Sequence, residues 1–363
     1  MKWLKKLTQG EHVHVTSHDG IRHADDQACV ALLKLATSGG MTYTPTGRTQ
    51  ESQKKLYLYD LVFDIGGEYD PDLGRFDHHQ WGWCTPDTLA ECDVKPERPS
   101  NGYSAYAPHV PMASCGLFWQ STQELVPMIM RALGVDASLI TDGMVGRLHR
   151  KFWLECLSGI DARDNGVPLP LLQEGGAWSL PQQALFSLGL VELGRMSNPT
   201  WREPERSLDE EFLSGGVELF YQVFRRWWHR VLAGELAGPI VLQHYEIRQN
   251  RLVILPHFVP WVRILQKRDD VDFVIFPQNG QHFLQCVPPK DGETTEQRVP
   301  LPKEWADVGQ DREALKRVTG VEDAVFCHAN RWICAADSMA GAIGLHRAAT
   351  KNERKNETGH NFG

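Results

Sequence analysis

HVHVTSHDGIRHADDQACVALLKLA, residues 12–36, contains a strand, a polar turn and the start of a helix. Residues 12–16 are a short β-like run, and apolar residues at 28, 32, 33 and 35 recur near helical spacing. Strand, turn and helix in this order open the α/β folds that place ligands at the carboxyl ends of parallel strands. We therefore predict an α/β domain at the start of the chain.

The turn itself, residues 17–26 (SHDGIRHADD), carries two histidines and three aspartates. Solvated aspartates are common anywhere in proteins. Imidazoles alternating with carboxylates at the end of a strand, however, suit a hard or borderline divalent cation that accepts both nitrogen and oxygen ligands. The turn is therefore a candidate metal site.

A second acidic position follows the apolar run at residues 56–64 (LYLYDLVFD), which predicts a strand ending in Asp64. Gly66 and Gly67 come directly after it and clear space beside the carboxylate. Taken alone, Asp64 is better explained as a strand-capping residue before a turn. Asp77-His78-His79 makes a metal-ligand role for Asp64 more plausible than strand capping. A second His/Asp segment downstream of the first is unlikely by chance and favours one metal site shared by both segments.

The apolar spacing of residues 142–160 predicts a helix, and Asp161 and Asp164 follow its end. Composition alone favours a helix-closing turn at Asp164-Asn165-Gly166 over a metal ligand. Earlier in the chain, Ser114 is predicted to cap a helix that continues toward Val126. Residues 84–111, with five prolines, predict a mobile surface excursion.

The length, charge and cysteine content of the chain limit which kinds of protein could carry these clusters. With 363 residues the chain exceeds the usual size of a single core, so two domains are expected. The formal net charge of −8 argues against non-specific coating of duplex nucleic acid. We find no secretory signal and no apolar run of 18 residues, so we expect neither secretion nor a membrane span. The eight cysteines form no CxxC pair, which favours reduced thiols and a cytoplasmic location.

The second half of the chain predicts a long helix at residues 208–231, then a smaller α+β region. The hairpin at residues 273–287 turns at Asn279-Gly280, and further strands are predicted at 251–255 and 324–329. Helices are predicted at residues 311–318 and 338–349. Arg225 and Arg226 have aromatic neighbours, a pattern that can bind a phosphate backbone but more often combines core aromatics with solvated arginines.

The ordered series of motifs resembles the melanocyte-proliferating-gene (MYG) exonuclease family. That family looks like a branch of the DHH phosphoesterase superfamily, which includes RecJ-type exonucleases and manganese pyrophosphatases. The resemblance covers nearly the whole chain. Its motifs are HDG at 18–20, HADD at 23–26, VFDIGGEYD at 62–70, FDHHQ at 76–80, DARDNG at 161–166, SNPTW at 197–201, LPHFVPW at 255–261 and HANRWI at 328–333.

The resemblance implies a DHH-like α/β domain with a mainly parallel sheet flanked by helices, followed by a smaller α+β domain. We expect residues 1–195 to form the catalytic domain, 196–238 a helical connector, 239–350 a substrate-binding domain and 351–363 a disordered tail. It also implies two divalent cations, with Mn²⁺ expected and Mg²⁺ or Co²⁺ as alternatives. The implied ligands are His18, His23 and Asp64 for one ion, and Asp25, Asp64, His78 and either Asp161 or Asp164 for the other.

Around these ligands, the resemblance implies that His79 donates a hydrogen bond or proton to the phosphate and that Asp77 orients an imidazole. Asp19 and Asp26 stand where relatives usually have Asn and Glu, and we expect them outside the ligand set, as supporting or surface carboxylates. Candidate substrate-binding residues are Arg225, Arg226, His328, Asn330 and Arg331. Residues 333–338 (ICAADS) depart from the relatives, which tend to show Gly-Gly and Lys-Thr pairs there.

The function implied is a metal-dependent phosphodiesterase that degrades single-stranded RNA or short oligonucleotides from the 3′ end. A small-molecule phosphoesterase or pyrophosphatase is the chief alternative, and a non-catalytic metal-binding scaffold is a third. The expected partner is the phosphoester substrate. We expect neither stable binding to duplex nucleic acid nor binding to a membrane. Whether the protein forms a homodimer is left open.

Overall fold

The computed structural model describes residues 1–37, 40–81, 102, 104–107, 110–167, 185–200, 202–203 and 206–359. The chain divides into two compact units, Met1–His229 and Arg230–Gly363. Most of the excursion predicted at 84–111 lies outside the described residues, as do Cys84, Cys92 and Trp201. The six described cysteines are buried and free, and no described helix has both the length and the apolar character to cross a bilayer.

The first unit contains a five-stranded sheet in the order β2-β1-β3-β5-β4. Its strands are β1 Val13–Thr16, β2 Met41–Tyr43, β3 Leu61–Phe63, β4 Tyr69–Asp70 and β5 Arg75–Phe76. Strands β1, β2, β3 and β5 are parallel, and β4 pairs antiparallel with β5. The expected mainly parallel sheet is therefore confirmed.

Helices surround this sheet. They are α1 Lys2–Thr8, α2 Ala24–Thr37, α3 Gln50–Gln53, α4 Ser114–Gln120, α5 Leu125–Ala132, α6 Asp142–Phe152, α7 Ser158–Asp164, α8 Leu185–Met196 and α9 Leu208–Glu211. The α2 helix contacts α4, α5 and α8, and twelve of its residues are buried, which explains its nearly all-apolar sequence after the first turn. Leu56–Leu58 forms a 3₁₀ turn, so the strand predicted at 56–64 is shorter than expected.

Two predicted helices are interrupted. Trp153–Leu157 forms a π turn that joins α6 to α7, and Phe212–Val217 forms another after α9. The helix predicted from Ser114 to Val126 ends at Gln120, and its N-cap is Ala113, so the prediction that Ser114 caps it is wrong. The seven-residue α4 instead receives a carboxylate from elsewhere in the unit, as described below.

The second unit has the sheet order β6-β7-β8-β10-β9. Its strands are β6 Leu252–Ile254, β7 Phe273–Gln278, β8 Gln281–Cys286, β9 Ala324–Cys327 and β10 Ile333–Ala336. Only the β6–β7 pair is parallel among these strands. Asn279 and Gly280 both have positive φ, 51° and 79°, which is the turn chemistry that predicted the hairpin.

The remaining helices are α10 Glu218–Glu246, α11 Val262–Leu265, α12 Lys303–Val308, α13 Arg312–Thr319 and α14 Met339–Gly359. The Asp311 side chain caps α13, and Gly320 ends it in the left-handed conformation. Residues 351–359, expected to begin a disordered tail, continue α14, in keeping with the helix propensity of their Lys, Arg and Glu residues. The α+β character of this unit is as expected.

Candidate metal centre

Three neighbouring parallel strands bring their carboxyl ends to one edge of the first sheet. His18 follows β1, Asp64 follows β3, and Asp77-His78-His79 follow β5. Helix α2 starts at Ala24, so Asp25 and Asp26 lie in its first turn, where a helix favours negative charge. His18 and His79, 61 positions apart in the sequence, therefore come close together because parallel strands end on the same side of the sheet.

Asp64 is the centre of this arrangement. Its carboxylate is fully buried, and its backbone is left-handed, with φ 55°. Oδ2 lies 3.3 Å from His18 Nε2, whereas Oδ1 lies 3.2 Å from His78 Nε2 and 3.4 Å from His79 Nδ1. The two oxygens of one carboxylate thus face two different groups of imidazoles.

The group on the Oδ2 side consists of His18, His23, Asp26 and Asp64, whose ligand atoms all lie within 4.8 Å of one another. His18 Nε2 is 3.0 Å from Asp26 Oδ2. His23 is half-exposed, with Nδ1 3.9 Å from Asp64 Oδ2. Asp26 is fully buried because the first turn of α2 faces inward, so of its two expected roles, supporting or surface carboxylate, burial excludes the surface role.

The group on the other side consists of Asp25, Asp64, His78 and Asp164. Asp164 Oδ2 lies 3.0 Å from His78 Nε2, and its Oδ1 lies 3.7 Å from His23 Nδ1. A third, overlapping group joins Asp64, His78 and His79. Asp164 is therefore in reach of both histidine groups.

The Asp25 side chain shows what the site is suited to hold. It is fully buried, and neither of its carboxylate oxygens has a hydrogen-bond partner among the described residues. Burial, followed by the neighbouring carboxylates of Asp164 and Asp64, raises the pKa of Asp25 well above its usual value. A buried carboxylate without donors beside further carboxylates and imidazoles fits a divalent cation with oxygen and nitrogen ligands.

The shifted pKa values of His18 and Asp64 agree with a site that can hold a divalent cation. Burial opposes the charge on His18, but Asp26 and Asp64 raise its pKa to about 10. Likewise, burial disfavours ionisation of Asp64, yet His18 and His78 outweigh it and lower the pKa of this carboxyl. Protons on imidazoles thus balance the carboxylates, and a cation placed here would displace those protons.

Two of the imidazoles are oriented by acceptors on their Nδ1 side. His18 Nδ1 lies 2.6 Å from the Asp19 carbonyl oxygen, and His78 Nδ1 lies 3.1 Å from Asn165 Oδ1. Asn165 Nδ2 donates to the Asp161 carbonyl oxygen, which leaves Oδ1 as the acceptor for His78. Both rings therefore turn Nε2 toward Asp64. Sequence reasoning treated Asn165 only as a turn residue; its position in the DARDNG motif was the available signal.

Asp77 and His79 form a pair at the edge of the site. His79 Nδ1 lies 2.7 Å from Asp77 Oδ1, and the other Asp77 oxygen accepts from the Gly67 backbone N–H at 2.6 Å. The Asp77 hydrogen bond raises the pKa of His79. Asp77 is buried while His79 is partly exposed, so the ring is held on one side and accessible on the other.

Asp161, offered with Asp164 for one ligand position, makes different contacts. Its Oδ1 accepts from the backbone N–H groups of Ala113 and Gly116, and its Oδ2 accepts from Trp153 Nε1 at 2.7 Å. Burial raises its pKa to about 7 despite these hydrogen bonds. It belongs to none of the three ligand groups, and it satisfies the start of α4, where Ser114 does not.

None of the five candidate substrate-binding residues belongs to the three ligand groups. Arg225, half-buried on α10, lines a cleft of about 330 Å³ with Lys34 and Tyr221, and Arg226 is exposed. His328, Asn330 and Arg331 form the β9–β10 turn in the second unit, where Arg331 Nε donates to the Leu301 carbonyl oxygen at 2.5 Å. Residues 333–336 of the divergent ICAADS stretch are buried in β10.

The sequence and structure of this chain are similar to those of known proteins. The profile of the MYG1 exonuclease family, described as an uncharacterised protein family (UPF0160), matches residues 14–350. The human protein named MYG1 exonuclease is 28% identical over 348 residues, covering 92% of this chain and 85% of its own. A MYG1 protein of Chlamydia trachomatis is 24% identical over 344 residues, covering 94% and 97%. A crystal structure of exonuclease RecJ bound to manganese aligns over 97% of this chain and 93% of its own, at 14% identity and a TM-score of 0.26.

Proposed function

Since the chain belongs to the MYG1 exonuclease family, we propose that it is a metal-dependent phosphodiesterase acting at the centre around Asp64. The observation that carries the proposal is the buried Asp64 carboxylate, with Oδ2 3.3 Å from His18 Nε2 and Oδ1 3.2 Å from His78 Nε2. A carboxylate with one oxygen toward each ligand group can bridge two cations. The unpartnered carboxylate of Asp25 supplies further negative charge for one of them.

In this proposal the ligands of one ion are His18, His23, Asp26 and Asp64, and those of the other are Asp25, Asp64, His78 and Asp164. Mn²⁺ suits this mixed set of imidazoles and carboxylates, and Mg²⁺ or Co²⁺ are alternatives. Bound divalent ions would activate water and stabilise negative charge on the phosphoryl group. Asp164 is preferred to Asp161 because both Asp161 oxygens already accept hydrogen bonds.

The chain's own residues contribute orientation and a proton. Asp77 holds the Nδ1 side of His79, and the raised pKa of His79 keeps a proton available on the accessible side of the ring. His79 can therefore protonate the oxygen that leaves when the phosphodiester bond breaks. Asn165 and the Asp19 carbonyl keep His78 and His18 turned toward Asp64.

We further propose single-stranded RNA or short oligonucleotides as substrates, degraded from the 3′ end. The support is that the human relative is named an exonuclease, together with the family resemblance of the motifs. The net charge of −8 is consistent with an enzyme whose metal ions provide the local positive charge for a phosphate.

The test uses purified protein with Mn²⁺ and single-stranded RNA labelled at the 5′ end. Progressive shortening of the labelled strand is expected, with no cleavage when the 3′ end is blocked. Asp64→Asn should reduce the rate by about 10³-fold, because several kcal/mol of stabilisation by the metal ions is lost. Asn tolerates the left-handed backbone, so the variant should stay folded by circular dichroism.

The control is Asp142→Asn, which changes an exposed aspartate of the same unit and should leave the rate unchanged. Cleavage of pyrophosphate or a simple phosphodiester without cleavage of RNA would replace the substrate proposal by the small-molecule alternative. Failure to retain divalent ions after loading with Mn²⁺ would overturn the enzymatic proposal.

A further inference from the structure

A cleft of about 830 Å³ lies wholly within the unit Arg230–Gly363. The C-terminal part of α10, the turn at residues 249–251, strands β6 and β7, and α14 line it. None of the candidate metal ligands contributes to it, because those residues all belong to the unit Met1–His229. Its volume is within the range of sites that take small molecules.

The apolar part of the cleft comes from strands and helices that otherwise form the core. Phe273 and Leu252 are buried on β7 and β6, and Ile343 of α14 is half-buried. Ile247 at the end of α10 is 70% exposed. A planar apolar group could therefore bury surface here against Ile247 and Ile343.

The polar rim is basic. Arg248 forms an ion pair with Asp270, and Arg251 Nη2 lies 2.8 Å from Asp272 Oδ1. In contrast, Arg347 and Lys351 form no ion pair with any described residue. They are four residues apart on α14 and thus adjacent on one face, where like charges destabilise a helix unless an anion lies between them.

His346 adds a directional group to the same cleft. Its side chain is 4% exposed, and its Nε2 has no hydrogen-bond partner among the described residues. The ring contacts Phe273 edge-on at 5.3 Å, and the backbone of Asn250 accepts a hydrogen bond from it. Asn250 and Arg251 are both left-handed, with φ 51° and 60°, the kind of local strain that clusters at ligand sites.

We propose that this cleft binds a nucleoside monophosphate, either free or as the terminal nucleotide of a single strand. The phosphate is bound by Arg347 and Lys351, which present charge-assisted donors. A hydroxyl of the sugar or an amino group of the base donates to His346 Nε2. The base lies against Ile247 and Ile343. This site is independent of catalysis at the metal centre and does not need the divalent ions.

The test measures binding of AMP and of a short single-stranded oligonucleotide to the full chain in EDTA, so that hydrolysis plays no part. Arg347→Glu/Lys351→Glu should weaken both by at least about tenfold, because two charge-assisted contacts become repulsive. Arg317→Glu is the matched control, since this exposed arginine of the same unit does not line the cleft and should leave affinity unchanged. Arg347 and Lys351 are both exposed, so the doubly substituted protein should still fold.

His346→Phe distinguishes the contribution of the nucleoside to binding from that of the phosphate. It keeps an aromatic ring but removes the acceptor, so AMP binding should weaken several-fold while the weaker binding of inorganic phosphate stays the same. Binding of the oligonucleotide but not AMP would identify the strand end as the source of the ligand, and the reverse would identify free nucleotide. Absence of binding by either, or equal AMP affinity in the Arg347→Glu/Lys351→Glu and Arg317→Glu variants, would overturn the proposal.

Discussion

Both sheets of this protein bury apolar side chains, but only the first also buries a cluster of ionisable groups at one edge. The edge of the parallel strands β1, β3 and β5 buries charged or ionisable groups, whereas the sheet β6–β10 has an apolar core that includes Trp305, Leu315 and Leu284. Parallel strands end on the same side, so residues following several strands converge there. Antiparallel neighbours end on opposite sides, so β7–β10 cannot gather side chains in that way. Strand direction therefore explains why ionisable residues that follow three strands converge in the first unit.

The two regions also differ in what stabilises them. Buried carboxylates and imidazoles at the first sheet cost free energy unless partners or cations compensate them. The second sheet buries apolar surface and gains stability from it directly. We therefore expect the stability of the first unit to depend on divalent ions and that of the second unit to be insensitive to them.

The largest effect is expected from Asp161→Ala, which removes the acceptor at the start of α4. Trp153 Nε1 and the N–H groups of Ala113 and Gly116 would be left buried without partners. We expect a loss of about 3–5 kcal/mol in the free energy of unfolding, measured by urea denaturation. Asp142→Ala, at the exposed start of α6, should reduce it by no more than about 1 kcal/mol, the usual contribution of a negative charge in the first turn of a helix. Equal losses would show that Asp161 has no supporting role.

The next largest effect is the response to Mn²⁺. At about 100 times its dissociation constant, the first Mn²⁺ ion to bind the folded protein should stabilise it by about 2.7 kcal/mol. The pKa of His18 is raised to about 10, so its proton must leave when an ion binds, and stabilisation should increase as pH rises. Hydrogen exchange should show the added protection at β1, β3 and β5. Equal protection at the β7–β8 hairpin would contradict the division between the two units.

The smallest effect is expected from Asn165→Ala, which removes the acceptor for His78 Nδ1. The affinity for Mn²⁺ should fall by about 10–100-fold, measured by calorimetry, because the ring is no longer held with Nε2 toward Asp64. Gln222→Ala, on the exposed face of α10, is the control. A loss of stability without a change in Mn²⁺ affinity would show that Asn165 only fills space.

Local patterns predicted the parts of the fold that depend on local chemistry. The strand, turn and helix of residues 12–36 and the hairpin at Asn279-Gly280 follow from alternation, helical spacing and turn residues. The interruptions at Trp153–Leu157 and after Gln120 were not predictable, because apolar spacing does not distinguish a continuous helix from one containing a π turn or an early end.

The same limit applies to the candidate site. The sequence indicated the three segments that converge, but Asp161 and Asp164 are three residues apart on one helix, and spacing alone places both on similar faces. The contact of Asp161 with the start of α4 separates them, and it depends on tertiary packing. Burial of Asp26 and the Asn165–His78 contact depend in the same way on how α2 and α7 approach the sheet.

The left-handed backbone at Asp64 has a consequence for how this position can vary. Few residues other than Gly, Asn and Asp adopt that conformation readily, and only Asp among them carries a negative charge. Substitution by Asn therefore keeps this backbone conformation but removes the charge that faces the imidazoles of His18 and His78, whereas Gly removes the whole side chain from between them. We expect a lineage that drifted to Asn to keep a folded, abundant protein that no longer binds divalent ions at this position, and a screen that reports only solubility or abundance would score the change as neutral.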